Sequence, residues 1–454
     1  MAVAEHAIGA GPGDGARIAT SLPPGPRASP VIQTLAWTLA PTWFMSRYMA
    51  RIGEMFTVTF APSGIKFVLI ADPAAVKEVF TAPPEVAPSA AGNSPIRPVV
   101  GASSVLVTVG AEHLRQRKLL LPPFHGERMR EYEEVIVAAT REDMATWPRG
   151  RAMRVQPRSR AITLEVILTA VFGVGEARRE PLRRAISELM APINLVAVLR
   201  IALSRPTNER PDGAIGRALD RLDAVLYEEI ATRRGAGDLA ERRDILSLLL
   251  QARDEEGLQM TDEELRDELV TLLLAGHETT ATSVAWAIER LVRHPDKLAR
   301  LQREIDEGGD EYLNGVVNET LRVRPVVPIV VRQLQQEMTI GGRRLPAGTM
   351  IAPCIYLTNR NPRVYERPDE FLPERFLDAT PETFSWIPFG GGIRRCIGAS
   401  FAQLEMKLIL RTVLAELTPR VAGTWRRGEP TRRRAITMVP MAGARVVWEQ
   451  RGRG

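Results

Sequence analysis

Cys396 stands in Phe389-Gly390-Gly391-Gly392-Ile393-Arg394-Arg395-Cys396-Ile397-Gly398-Ala399, just where a helix running on to Leu410 begins. Three glycines let this backbone fold tightly and come close to a flat partner. Backbone N–H groups at a helix start stabilise a thiolate. A lone cysteine is usually a small buried hydrophobe. Phe389 seven residues before it, Arg394 two before and Gly398 two after make a setting too particular for that reading. A thiolate held in this way can be an axial ligand of heme iron.

A second group lies in Ala275-Gly276-His277-Glu278-Thr279-Thr280, which places a glycine, an acid and two hydroxyls in mid-helix. Buried threonines commonly bond back to the carbonyl one turn earlier and bend their helix, and on that reading the segment only narrows the helix for close packing. On the chemical reading Gly276 opens room above a cofactor, Thr279 offers a hydrogen bond there, and Glu278 links to solvent as a proton source. Zinc is excluded, because Ala281 stands where the second histidine of H-E-x-x-H belongs. Glu319 and Arg322 are three apart, on one helical face. The apolar, proline-bracketed run from Pro325 to Val331 that follows argues for their burial, and Arg375 could then complete a fixed Glu-Arg-Arg network.

The helix that must position Glu278 and Thr279 opens on Thr261-Asp262-Glu263-Glu264, a capping box, and meets no proline until Pro295. From Asp262 to Arg293 it spans roughly 48 Å, enough to cross the molecule. At about 100° per residue, Leu272, Ala275, Gly276 and Thr279 share one side and His277 points nearly opposite Ala275. The pattern is helical over most of 111–306, with segments expected at 127–147, 158–172, 181–203 and 217–233. Residues 56–60 and 66–70 read as a hairpin, Asp72 as the cap of a helix starting at Pro73. Short strands are expected at 338–340, 350–355 and 436–439. Pro83, Pro84, Pro88, Pro95 and Pro98 make 81–101 a long loop without regular structure. The fold class is therefore mainly α with small β-sheets (α+β).

With 454 residues, 45% hydrophobic and 25% charged, the composition supports a large core and excludes broad disorder. Lys and Arg, 60 against 54 Asp and Glu, leave a net +6 that is interleaved along the chain, which excludes a nucleic-acid footprint. Cys354 and Cys396 are too few for a disulfide framework and fit a reducing compartment. No run reaches the ~18 apolar residues of a membrane span, and no secretion-signal pattern opens the chain, so a cytoplasmic protein is expected. Trp37 and Trp43, within 31–45, are expected to be core rather than lipid-facing. Residues 1–29 read as a flexible Gly, Ala and Pro-rich tail ahead of one domain over 30–454. The clusters Arg426-Arg427 and Arg432-Arg433-Arg434 read as solvated surface.

These residues resemble the cytochrome P450 family of heme-thiolate monooxygenases, in its soluble bacterial type, from about Pro23 to Val447 and with four motifs in family order. The resemblance implies a single triangular heme domain around the long helix. It implies that Cys396 is the proximal iron ligand of heme b within F-x-x-G-x-R-x-C-x-G, with Phe389 beside the sulfur, Gly390 and Gly398 against the cofactor, and Arg394 on a propionate. His113 and Arg117 match the family's H-x-x-x-R pair on the propionates, and Arg332 is similar to a further propionate partner. Glu278 and Thr279 are implied as the acid-alcohol pair of the oxygen-binding groove, beside Ala275 and Gly276. Glu319, Arg322 and Arg375 are implied to be structural. The pocket is implied to be lined by the 81–110 loop, Leu272, Ala275, Val326, Val327, Ile329, Val330 and the turn at Ile436.

Those lining residues are nearly all apolar, so a lipophilic substrate is implied: a fatty acyl chain, terpene, steroid or polyketide-like molecule. The segment around Trp37 and Trp43 resembles bacterial fatty-acid oxidisers. The reaction implied is hydroxylation or epoxidation with one oxygen atom of dioxygen, O2 being the co-substrate. The chain carries no nucleotide-binding motif in a strand-helix context, so electrons are expected from a separate ferredoxin or flavodoxin with its reductase. Arg115, Lys118 and Arg395 would suit that acidic carrier. A monomer is expected, with no nucleic-acid partner. A peroxide-driven peroxygenase and a non-catalytic heme-binding or gas-sensing protein are the rival readings; the retained Glu278 and Thr279 speak against both.

Overall fold

Prolines and side-chain caps set where the helices begin. The protein, seen in a computed structural model, is described for residues 22–90, 96–124, 126, 128–173, 176–190, 210–377, 381–423, 425 and 428–452. The elements run α1 (Pro30–Leu39), α2 (Pro41–Ile52), β1 (Met55–Phe60), β2 (Ile65–Ile70), α3 (Pro73–Thr81), α4 (Arg97–Val100), α5 (Gly110–Leu120), α6 (Arg128–Ala145), β3 (Ala152–Arg154), α7 (Val155–Phe172), α8 (Glu176–Met190), α9 (Gly213–Arg234) and α10 (Ile245–Gln251). They continue with α11 (Asp262–Arg293), α12 (Pro295–Asp306), α13 (Glu311–Val323), β4 (Arg332–Gln333), β5 (Met338–Ile340), β6 (Arg343–Leu345), β7 (Met350–Pro353), α14 (Ile355–Thr358), α15 (Ala399–Glu416), β8 (Leu417–Val421), β9 (Thr431–Arg434), β10 (Thr437–Pro440) and β11 (Arg445–Gln450). Proline occupies the first turn of α1, α2, α3 and α12, where its missing N–H has no helical partner to lose. Asp72 caps α3 by accepting from Ala75 N at 2.9 Å.

The 32-residue α11 begins with both arms of its capping box formed, Glu264 N to Thr261 Oγ1 at 3.1 Å and Thr261 N to Glu264 Oε2 at 2.8 Å. It packs against α7, α9, α13 and α15, burying Leu265, Leu269, Leu273, Ala285 and Leu291 completely. At roughly 25 cal/mol per Å2 of apolar surface removed from water, this seam is the main hold on the helix. Sheets sit at the margin. One has the order β1-β2-β7-β4, with β1 and β2 antiparallel from Met55↔Ile70 to Phe60↔Ile65 and β7 parallel to β2. A second has the order β3-β11-β8, and β9-β10 and β5-β6 are two-stranded.

Several expectations shift. Residues 97–100 of the long loop form a helical turn, because Pro98 falls where a first turn tolerates proline, and Ser89 bridges Arg332. α8 starts at Glu176, ahead of Pro181, while 191–203 of the expected helix lies outside the described residues. The strand expected over 350–355 stops at Pro353 and turns into α14; the one expected at 436–439 starts at Thr437, since Ala435 (φ 53°) and Ile436 make the turn. Trp37 is core at 6% exposure, but Trp43 is 55% exposed. Residues 1–21 of the expected tail lie outside the described residues; just beyond them Pro23 O and Pro24 O hold Thr57 of β1. A Cβ on Gly25 would stand 2.1 Å from Thr57 O, so only glycine allows that approach. Among the described residues no helix is long and apolar enough to cross a membrane.

Candidate functional site

Gly390 (φ 68°) and Gly392 (φ 65°) take the left-handed backbone that the loop before Cys396 needs. The loop presses on α3: a Cβ on Gly391 would stand 2.3 Å from the Phe80 ring and one on Gly392 2.2 Å from Phe80 O. Cys396 N donates to Phe389 O at 3.0 Å, and Gly398 forms the N-cap of α15, its carbonyl accepting from Ala402 N at 2.8 Å. Burial pushes the Cys396 thiol up, while the backbone N–H of Gly398 and the charges of Arg117 and Arg395 oppose it. Protein atoms crowd around Cys396, yet the residue keeps an exposed surface.

Near it stands a histidine among arginines. His113, Arg332 and Arg394 line one cavity with Phe80 and Gly110, and Arg117 follows His113 by one turn of α5. Arg394 donates to Val105 O at 2.9 Å and to Thr108 O; Arg332 donates to Val331 O at 3.1 Å. Burial, joined by the charges of Arg394, Arg117 and Arg332, lowers His113 to about 3, and its Nδ1 is buried without a hydrogen-bond partner among the described residues. Burial likewise lowers Arg332 to about 10, and burial with Arg332 and Arg117 lowers Arg394 to about 10. An orphaned buried ring nitrogen among converging arginines, one of which, Arg117, also acts on Cys396, fits a ligand bearing carboxylates. The residues present therefore fit heme.

On α11, Ala275 is exposed and Leu272, Gly276 and Thr279 are half-buried, whereas His277, Glu278 and Thr280 are buried. The shared side predicted from the helical period is thus the open one. At Gly276 a Cβ would stand 3.2 Å from Ile167 Cδ1, so its missing side chain makes room for α7. Thr279 Oγ1 donates back to Ala275 O at 2.7 Å. His277 Nδ1 lies 2.8 Å from Leu273 O, and burial lowers its pKa.

Glu278 is held by arginines from two other elements. Arg160 Nε of α7 stands 2.7 Å from its Oε2, and Arg434 Nη1 of β9 is 3.5 Å from its Oε1. Burial pushes the carboxyl up to about 7 against the pull of Arg160. The sequence reading missed both arginines. Of the arginine cluster taken as solvated, only Arg432 is exposed: Arg433 lies 5.7 Å from the Trp37 ring and Arg434 reaches Glu278. Arg426 and Arg427 lie outside the described residues. A second missed acid is Glu405 of α15, fully enclosed, pushed up to about 8 by burial and hydrogen-bonded to Thr280. Its place among apolar residues nine positions after the cysteine was the available signal.

Glu319 and Arg322 are both fully buried, Nε to Oε2 at 2.6 Å, and Arg375 Nε stands 3.5 Å from Glu319 Oε1. Arg322 also donates to Asn359 O, Pro368 O and Glu370 O at 2.7–2.9 Å, and Glu319 accepts from Leu372 N at 2.7 Å. These bonds tie α13 to the chain leading toward the cysteine loop. Of the residues expected to line a pocket, Val330 faces Gly390, its Cγ1 standing 3.8 Å from where a Cβ would be. Ile329 turns the other way, packing with Val331 on the cluster of Trp37 and Phe44, as alternation in extended chain requires. Val326 is buried and its carbonyl accepts from Met438 N at 2.7 Å; Val327 is half-buried, and Ile436 is exposed at its turn. Arg115 is not a free docking charge: it is paired with Asp254 (2.6 Å) and Glu264 (2.5 Å), and Lys118 is paired with Glu255 (2.6 Å). Arg395 is exposed.

The family profile described as cytochrome P450 matches residues 23–424. Among curated proteins, the chain is 42% identical over 408 residues to "Putative cytochrome P450 137" of Mycobacterium tuberculosis, covering 88% of this chain and 84% of that protein. It is 40% identical over 431 residues to "Putative cytochrome P450 135B1" of the same organism, covering 94% and 91%. Among solved structures, the cytochrome P450DA heme domain superposes with a TM-score of 0.82 at 24% identity, over 96% of this chain and 98% of that one. Retinoic acid-bound cyanobacterial CYP120A1 does so with 0.80 at 24% identity, over 95% and 100%.

Proposed function

Because the chain belongs to the cytochrome P450 family and is a monooxygenase, we propose that it binds heme b through Cys396 and hydroxylates or epoxidises a lipophilic substrate with electrons from a separate ferredoxin or flavodoxin. Bound heme would supply the oxygen-activating chemistry, one atom of dioxygen entering the substrate and the other leaving as water. The observation that carries this reading is the Cys396 loop itself, with Arg117 acting on the thiol and standing in the same electrostatic group as His113, Arg332 and Arg394.

In this reading Cys396 would hold the iron as a thiolate, a charge that the Gly398 backbone and Arg117 favour against burial. His113, Arg117, Arg332 and Arg394 would hold the propionates, with the buried His113 Nδ1 available to one of them. Phe389, Gly390 and Gly398 shape the loop so that the ring can come close. Glu278 holds a proton near neutral pH and releases it when its arginines rearrange; Thr279 Oγ1, freed from Ala275 O, passes it on toward the open side. Leu272, Ala275, Val326, Val327 and Val330 offer apolar surface that excludes water and takes a long-chain, terpene, steroid or polyketide-like molecule. Glu319, Arg322 and Arg375 hold the scaffold. The enzyme works in the cytoplasm as a monomer, where such carriers are kept reduced. The test is turnover of a panel of lipophilic compounds under isotopically labelled dioxygen with a surrogate ferredoxin and its reductase. One labelled oxygen per product supports the reading; unlabelled product made faster from peroxide alone overturns it in favour of a peroxygenase.

A further inference from the structure

α1 is turned inside out. Its buried face carries Gln33 beside Trp37, and Gln33 uses its full side chain inside, donating to Ala28 O at 2.8 Å and accepting from Thr59 N at 2.9 Å. Its outward face carries Val31, Ile32, Leu35 and Leu39, each more than half exposed. At about 100° per residue these four fall within a sector of about 100°, a continuous apolar stripe where a soluble helix ordinarily places its polar residues. Trp43, also more than half exposed, extends the stripe onto α2. A patch of this size is larger than scattered surface leucines explain.

The charges on the two helices have one sign, and Glu54, the first acid after them, is held by Asn361 and Arg363. Residues 22–53 contain no Asp or Glu, while Arg27, Arg47 and Arg51 are exposed. Arg47 and Arg51 follow Trp43 at steps of four on the same face of α2, and Arg47 stacks 5.5 Å from the Trp43 ring. The β1-β2 hairpin tip, tied to α1 by Ala61 N donating to Thr34 Oγ1 at 2.9 Å, adds exposed Ile65 and Lys66. Apolar stripe, tryptophan and an all-basic margin together are the pattern of a helix that lies in the headgroup layer of an anionic bilayer.

We propose that the outward faces of α1 and α2 form a peripheral docking surface for an anionic lipid bilayer. The apolar stripe enters the headgroup–acyl boundary and the arginines meet lipid phosphates; no helix among the described residues spans the bilayer. A second copy of the chain fits the surface less well, since a two-fold contact through it would set Arg47 and Arg51 against their own copies. Residues 1–21 offer little to cover it, being mostly Gly, Ala and polar residues.

The test is co-flotation of the heme-loaded full chain with phosphatidylcholine vesicles, with and without phosphatidylglycerol, for wild type and Leu35→Glu/Leu39→Glu. Both leucines are exposed, so the variant keeps its fold, checked by thermal midpoint and heme spectrum. Wild type floats with the phosphatidylglycerol vesicles, with roughly fivefold weaker binding for each charge screened by salt. The variant loses about tenfold or more. The proposal is overturned if the full chain does not float, if neutral vesicles bind it equally, or if it is instead a dimer that the same two substitutions dissociate.

Discussion

Glu278 sits between Arg160 and Arg434, which belong to different elements far apart in the chain. Burial raises its carboxyl to about 7, so the group changes its proton occupancy within the working pH range. Glu278→Gln should lower turnover by roughly a hundredfold while leaving the spectral response to bound substrate in place, because the amide keeps the volume and cannot release a proton. Arg160 favours the carboxylate, so Arg160→Gln raises the pKa further; the fraction protonated then persists to higher pH, and the alkaline limb of the pH–rate profile should move upward. A downward shift contradicts the assignment. The acid itself was legible in the sequence, since it stands beside Thr279 and two residues after Gly276 in mid-helix. Its partners were not: one arginine sat in a helix and the other in a basic cluster, and no spacing links contacts made across elements.

Elements were legible where local chemistry decides them. The capping box of α11 is formed as read, and Thr261→Ala should cost about 1 kcal/mol in denaturant unfolding. Glu319 and Arg322 are completely buried, so removing one partner leaves an uncompensated charge. Glu319→Gln should therefore cost about 3–5 kcal/mol and lower heme retention during unfolding, whereas an unchanged midpoint would show that the pair is not holding the approach to the cysteine loop. Expectations failed where packing overrides local pattern. Ile329 follows the alternation of an extended run that composition cannot phase. The one-turn α4 shows proline acting as a helix starter in a segment read as proline-broken.

At the scale of the whole molecule the net charge of +6 is distributed through ion pairs that the count does not reveal. Arg115 and Lys118 answer to Asp254, Glu264 and Glu255, which leaves exposed Arg395 as the more available of the three for an acidic electron carrier. Arg395→Glu should raise the KM for ferredoxin and flatten its salt dependence, with kcat little changed; Arg115→Gln should act mainly on stability. The helical body, the marginal sheets and the crossing helix were all foreseeable from periodicity and punctuation. The inverted exposure of α1 was not, since a buried Gln33 and an exposed leucine stripe look from sequence like an ordinary capping helix. The central claim is that Cys396 ligates heme as a thiolate. It is tested most directly by the absorption spectrum of the reduced protein with carbon monoxide, in wild type and Cys396→Ala. A strongly red-shifted Soret band in wild type that is lost in the variant is the predicted result; a band at the position of histidine-ligated heme in folded wild type would contradict the account.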